Sequence, residues 1–204
     1  MDKRKKSIYE TDGVYGDENM FSSTGDRLKK TISIISEQKN NPVNILDIGS
    51  GTGYLASRIK RIFPKSNIYG VDISEKGVLE GRKLYKNINL SVADVEVKLP
   101  YNDDFFDLIV SGEVIEHIKD IDTYISEIHR VLKIGGKVII TTPNLASWFN
   151  RILLMLGKQP FFMEPCLRKT VPVFSVMGIN FPDPDMPTAG HLRLFTIGMI
   201  KKIF

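Results

Sequence analysis

Cysteine is nearly absent from this chain of 204 residues: a single Cys166 cannot close an intrachain disulfide, which fits a reducing compartment. No activating partner flanks it beside Pro165, so an inert thiol is expected rather than a nucleophile. Long apolar runs are missing as well. No hydrophobic leader follows the basic residues 3–6 and no stretch is long enough to span a bilayer, so the expected location is the cytoplasm. The net charge is only +4, and beyond Lys3, Arg4, Lys5 and Lys6 no extended basic surface is signalled. That weighs against nucleic acid as a partner and leaves the cluster as a solvated arm.

What the chain does hold, 42% hydrophobic and 25% charged residues, suits one globular domain with a sizeable core. Its organising stretch is residues 43–56, VNILDIGSGTGYLA. A short apolar run, an acid, and then Gly49, Gly51 and Gly53 ahead of an apolar helical pattern predict strand, tight loop, helix. Such a loop lets the backbone approach a ligand closely while the free N–H groups of the helix start face it. The spacing excludes two familiar phosphate binders. A dinucleotide fingerprint needs its third glycine where Tyr54 stands, and a P-loop needs a Gly-Lys-Ser/Thr ending.

Around this unit the pattern alternates. A helix marked by Leu28, Ile32 and Ile35 runs toward Pro42, and strands are expected at residues 43–48, 68–73, 90–94, 106–110 and 137–142. Ser74 is a natural N-cap for a helix over 75–86, which Gly77 and Gly81 weaken. Ile121, Tyr124, Ile125, Ile128, Val131 and Leu132 repeat at helical spacing, with Gly135 and Gly136 as the stop. His129 falls on the solvated side of that helix. The expected division is an N-terminal arm and helix (1–42), an α/β core (43–143) and a cap with a final helix (144–204), in one domain with a doubly wound, mostly parallel sheet. The Thr196 hydroxyl can cap the last helix, and the cap itself is apolar at residues 145–157 and interrupted by prolines through 187.

Ligands of open α/β sheets sit outside the carboxyl ends of the strands. Asp47, Asp72, Asp94 and Glu113 all fall at or just past such ends. An acid at the second strand end suits ribose hydroxyls and opposes a ribose phosphate. The successive segments ILDIGSGTG (45–53), Val71-Asp72, Ala93-Asp94, FDLIV (106–110) and RVLKIGG (130–136) resemble the motifs of class I S-adenosylmethionine-dependent methyltransferases, in the family's order. The resemblance implies a Rossmann-like methyltransferase fold and a methyl-transfer activity. It further implies that Asp47, Gly49, Ser50, Gly51 and Gly53 hold the methionine part, Asp72 and Ile73 the ribose, and Asp94 with Val95 the adenine. Gly112 and Glu113 would line the site beside the reactive methyl.

Within the family, EVIEH (113–117) followed by Thr142-Pro143-Asn144 is most similar to the small-molecule O-methyltransferases of ubiquinone synthesis, and the same pattern occurs in small-RNA 2′-O-methyltransferases. In both groups it can ligate a divalent cation such as Mg or Mn. If the turn is helical, Glu113, Glu116 and His117 share one face and could converge on one ion. His117 and Glu116 are the candidate catalytic groups, and His191 is a candidate further ligand or base. Trp148, Phe149, Phe161, Phe162 and Met163 suit a cap over a hydrophobic small-molecule acceptor, and equally core packing, a dimer surface or a membrane-facing helix. Other readings of the chain are an RNA methyltransferase and a catalytically silent, cofactor-binding partner subunit. The family's sheet has seven strands, and nothing after Phe204 supplies the last two. The expectation is therefore a five-strand sheet lacking them, with a marginal C-terminus offset by oligomerisation if the chain is not a truncated one.

Overall fold

In the computed structural model, which describes residues 22–38, 41–165, 170–176, 179–182 and 190–204, the glycine loop follows the central strand of a five-stranded parallel sheet. After helix α1 (Ser22–Ser36) come β1 (Asn44–Ile48), α2 (Tyr54–Ile62), β2 (Asn67–Asp72), α3 (Glu75–Leu84), β3 (Asn89–Val92) and β4 (Phe106–Gly112). A 3₁₀ turn (Ile115–His117) precedes α4 (Ile121–Val131) and β5 (Leu132–Thr141). Then follow α5 (Trp148–Met155), β6 (Phe174–Val176), β7 (Ile179–Phe181) and α6 (Ile197–Ile203).

The strand order is β3-β2-β1-β4-β5. The order reverses between β1 and β4, so the carboxyl ends of these two strands form the switch point at which doubly wound sheets bind ligands. Both faces of β1 are covered: Ile45, Leu46 and Ile48 are all buried, as expected for a parallel strand sandwiched by helices. On one side Ile45 packs in a cluster with Ile35 of α1, Ala56 and Ile59 of α2 and Val78 of α3. At the far end of the sheet the Arg130 guanidinium ties down the loop before β4. It donates to the carbonyls of Leu99 and Tyr101 and to the carboxylates of Asp103 and Glu127, and Glu127 in turn accepts from the Leu99 amide at 2.7 Å.

The chain divides into two compact units. One takes the described residues up to Gly112 together with Asp120–Thr141, and the other comprises Glu113–Lys119 and Thr142–Phe204. Residues 113–119 thus group with the C-terminal part rather than with the strands that flank them in sequence. Among the described residues the large sheet has five strands, all parallel, as expected. The antiparallel pair β6–β7 is a separate two-stranded sheet in the second unit.

Three sequence expectations need correction or placement. Gly135 and Gly136 do not stop a helix: α4 ends at Val131, and Leu132 is already extended (φ −82°, ψ 131°) and paired with Phe106. The glycines lie instead where the register jumps to Leu108↔Lys137, with Gly135 at φ 77° letting β5 bulge. The N-caps at Ser74 and Thr196 form as read, each hydroxyl accepting from the backbone N–H three residues on, and His129 is exposed. The basic residues 3–6 and Cys166 lie outside the described residues. No helix among the described residues is long and apolar enough to cross a membrane.

Candidate functional site

In the first unit the glycine loop is shaped by three left-handed backbones, Gly49, Gly51 and Gly53, at φ 73°, 53° and 84°. L residues with a Cβ adopt such angles only at a cost, so glycine recurs at every second position. The loop is pinned to β2, whose Val71 carbonyl accepts from the amides of Gly49 and Ser50. Asp72 finishes the clamp: one oxygen accepts from the Gly51 amide at 2.7 Å and the other from the Ser74 amide at 2.8 Å. With two acceptor directions per oxygen, the carboxylate retains capacity for ribose hydroxyls. Asp94 follows β3 and accepts from the Glu96 amide at 3.0 Å, with Ile73 and Val95 in the turns past their strands. Gly112 ends β4, paired with Thr141.

Asp47 carries the tension of this unit. It is 2% exposed, its Oδ2 has no hydrogen-bond partner, and burial followed by repulsion from Asp72 pushes its pKa up to about 8. Ser50 Oγ is likewise buried without a partner. Buried polar atoms left unsatisfied cost free energy, and clustered ones mark a place that a polar ligand completes. A cationic, hydroxyl-bearing cofactor fits these atoms.

Sequence reading missed how α3 contributes. A Cβ at Gly81 would lie 2.3 Å from the Thr52 carbonyl oxygen, and one at Gly77 would lie 3.3 Å from the Gly51 backbone. The two glycines that weaken the helix are what let it lie directly against the glycine loop. Helix propensity, a local quantity, could not reveal a contact with residues 26 and 29 positions away.

The second unit brings together Glu116, His117 and His191. One ligand atom from each lies within 4.8 Å of the others, and the two imidazole rings are 4.9 Å apart between centroids. Glu116 is fully buried and its Oε2 accepts from the Thr142 hydroxyl at 3.0 Å. His117 Nδ1 lies 3.1 Å from the Gly190 carbonyl and His191 Nδ1 lies 2.9 Å from the Phe162 carbonyl. A carbonyl only accepts, so each Nδ1 carries a hydrogen, and Nε2 is the nitrogen through which a neutral ring can act as base or ligand. His191 Nε2 is 4.0 Å from Glu116 Oε1. Glu164, which sequence reading did not select, holds this arrangement by accepting from the Gly190 and His191 amides at 2.7 and 3.0 Å. Nothing in the sequence signals it, because its partners are 26 and 27 residues away.

Glu113 is not part of the cluster, which corrects the expected metal set of Glu113, Glu116 and His117. The helical turn covers only Ile115–His117, and Glu113 lies before it with φ 56°, so the i, i+3, i+4 face never forms. The donor set that does form, two imidazole nitrogens and one carboxylate, fits a divalent cation of the first transition row better than an all-oxygen set would. From Phe162 beside His191 a series of ring contacts runs through Phe161 and Phe149 to Trp148, with centroids 4.7 to 6.0 Å apart.

The model of the family described as "Methyltransferase domain" matches residues 39–165. This chain belongs to the class I S-adenosylmethionine-dependent methyltransferases. It is 32% identical over 146 residues to the demethylmenaquinone methyltransferase of Lactobacillus johnsonii, covering 68% of this chain and 56% of that one. It is 31% identical over 144 residues to the human mitochondrial ubiquinone biosynthesis O-methyltransferase, covering 66% and 38%. The chain spans about half the length of the curated relatives it matches. Among solved structures, the PH0226 protein of Pyrococcus horikoshii OT3 superposes with a TM-score of 0.59 at 25% identity, covering 74% of this chain and 71% of that one. The family assignment supports S-adenosylmethionine as the cofactor.

Proposed function

We propose that this methyltransferase-family chain transfers the methyl group to a hydroxyl oxygen of a small hydrophobic acceptor. The observation that carries the reading is the pair of imidazoles pinned through Nδ1 in one cluster with the buried Glu116 carboxylate, one ligand atom from each lying within 4.8 Å of the others. The relatives named for menaquinone and ubiquinone synthesis support an acceptor of quinone-precursor type.

S-adenosylmethionine supplies an electrophilic methyl on a sulfonium. In the first unit, Asp47 and the glycine loop would bind its methionine part, Asp72 and Ile73 its ribose, and Asp94 with Val95 its adenine. Gly112, at the end of β4, would lie beside the methyl. In the second unit, His117 or His191 would accept the acceptor's hydroxyl proton on Nε2. Glu116 stabilises the resulting imidazolium, and Thr142 and Glu164 keep carboxylate and ring in place. The Phe149, Phe161 and Phe162 rings bind an apolar acceptor and exclude water. A divalent cation held by Glu116, His117 and His191 would lower the pKa of the same hydroxyl. Attack by carbon is the second reading, favoured by the name of one relative, the ubiquinone/menaquinone biosynthesis C-methyltransferase of Desulfotalea psychrophila.

The test is methyl transfer from labelled cofactor to a panel of phenols, catechols and activated-carbon acceptors. His117→Gln and His191→Gln should each lower kcat at least about a hundredfold while S-adenosylhomocysteine affinity, read by calorimetry, stays within about twofold. Loss of activity on chelation, restored by Mn²⁺, supports the cation; transfer to carbon acceptors alone overturns the hydroxyl reading.

A further inference from the structure

Helix α5 is divided sharply by exposure. Asn150 and Leu153 are buried, and Asn150 fastens the helix to its own unit by donating to the Asn144 carbonyl and accepting from the Phe161 amide. The opposite side is apolar and uncovered: Trp148 is 74% exposed, Met155 86% and Leu156 69%, with Ile152 and Leu154 also exposed. Trp148, Ile152, Met155 and Leu156 follow i, i+4, i+7, i+8 spacing, so they form one stripe. Exposed apolar side chains scattered singly are ordinary; a contiguous row on one helix marks an interaction surface.

Charge decides between partners. The only charged residues from 145 to 163 are Arg151 and Lys158, both exposed, with no acid among them. A tryptophan at one end, long aliphatic side chains along the stripe and flanking cations are what a lipid interface accommodates. The indole sits at headgroup depth, the aliphatic groups enter the acyl boundary, and Arg and Lys reach the phosphates. We propose that this face of α5 docks on the surface of an anionic bilayer. The face is continuous, through the Trp148, Phe149, Phe161 and Phe162 rings, with His191. Docking there would let an apolar compound partition from lipid toward the histidines without crossing water.

The chain has one tryptophan, so its fluorescence reports this face alone. Full-length protein is mixed with vesicles of phosphatidylcholine, or of phosphatidylcholine with 30% phosphatidylglycerol, and Trp148 emission and co-sedimentation are followed. The expected result is a blue shift and binding with the anionic vesicles, weakened by salt, and little of either with the zwitterionic ones. Met155→Glu should lower partitioning at least tenfold, and Lys158→Glu, away from the apolar stripe, severalfold. Unchanged S-adenosylhomocysteine affinity in both variants shows that the fold and the cofactor site are intact, independently of which acceptor is methylated. No binding to either vesicle type, or equal binding to both, overturns the proposal. So does a blue shift that appears with rising protein concentration in the absence of lipid, which would assign the face to a second copy of the chain.

Discussion

Replacing Asp47 by Asn should make the ligand-free protein more stable, and increasingly so as the pH rises. The carboxyl is buried beside Asp72 and its pKa lies near 8, against 3.8 for an ordinary aspartate. Between these values the folded state holds a proton that the unfolded chain has released. The unfolded state therefore binds fewer protons, and stability falls by about 1.4 kcal/mol per pH unit as the pH rises through that window. From pH 5 to pH 8 the wild-type chain loses about 4 kcal/mol through this one group. Asparagine at 47 is isosteric and does not titrate, so the gap in stability between variant and wild type should widen by about that amount. For a chain of this size that corresponds to a Tm gap growing by roughly 10 °C. Scanning calorimetry or fluorimetry at pH 5, 6, 7 and 8 reads it directly. Other titrating groups are common to both proteins and cancel. A gap that stays flat across this range would refute the assignment of a buried, protonated Asp47. The same residue should link ligand binding to protons. If Asp47 ionises against the cofactor's ammonium group, S-adenosylhomocysteine binding below pH 8 releases a proton, measurable by calorimetry in buffers of different ionisation enthalpy. The Asn variant should release none and bind at least tenfold more weakly.

Two further outcomes follow from the geometry. Gly81→Ala places a methyl group 2.3 Å from the Thr52 carbonyl oxygen, so α3 or the glycine loop must shift; S-adenosylhomocysteine affinity should fall at least tenfold, whereas unchanged affinity would mean that α3 does not shape the loop. Arg130→Ala removes the donors to Leu99, Tyr101, Asp103 and Glu127 and leaves the Glu127 carboxylate without its partner cation. Urea unfolding should show a loss of about 2–4 kcal/mol, with His117 and His191 chemistry unaffected once the protein is folded.

The parallel sheet and the glycine loop at the end of β1 were legible in the sequence, because both are written locally. A β-branched run, an acid and glycines at alternate positions dictate strand, end and left-handed loop within about ten residues, and three more strand ends repeat the theme. The caps at Ser74 and Thr196 are equally local, each hydroxyl reaching an amide three residues away. What the chain could not announce were relations between distant segments. Gly77 and Gly81 read as flaws until α3 is laid against Gly51 and Thr52. Gly135 read as a helix stop until β5 is paired with β4 across a bulge. Glu116, His117 and His191 were each singled out in the sequence, but that these three meet, without Glu113, was decided by tertiary structure. Glu113, chosen on helical spacing, lies before the 3₁₀ turn and outside the cluster, while His191 is brought to Glu116 from 75 positions away and held by Glu164 and the Phe162 carbonyl. Periodicity and turn chemistry act over a few residues, so they determine elements and the loops between them; the meeting of side chains from remote elements depends on packing, which no local pattern encodes.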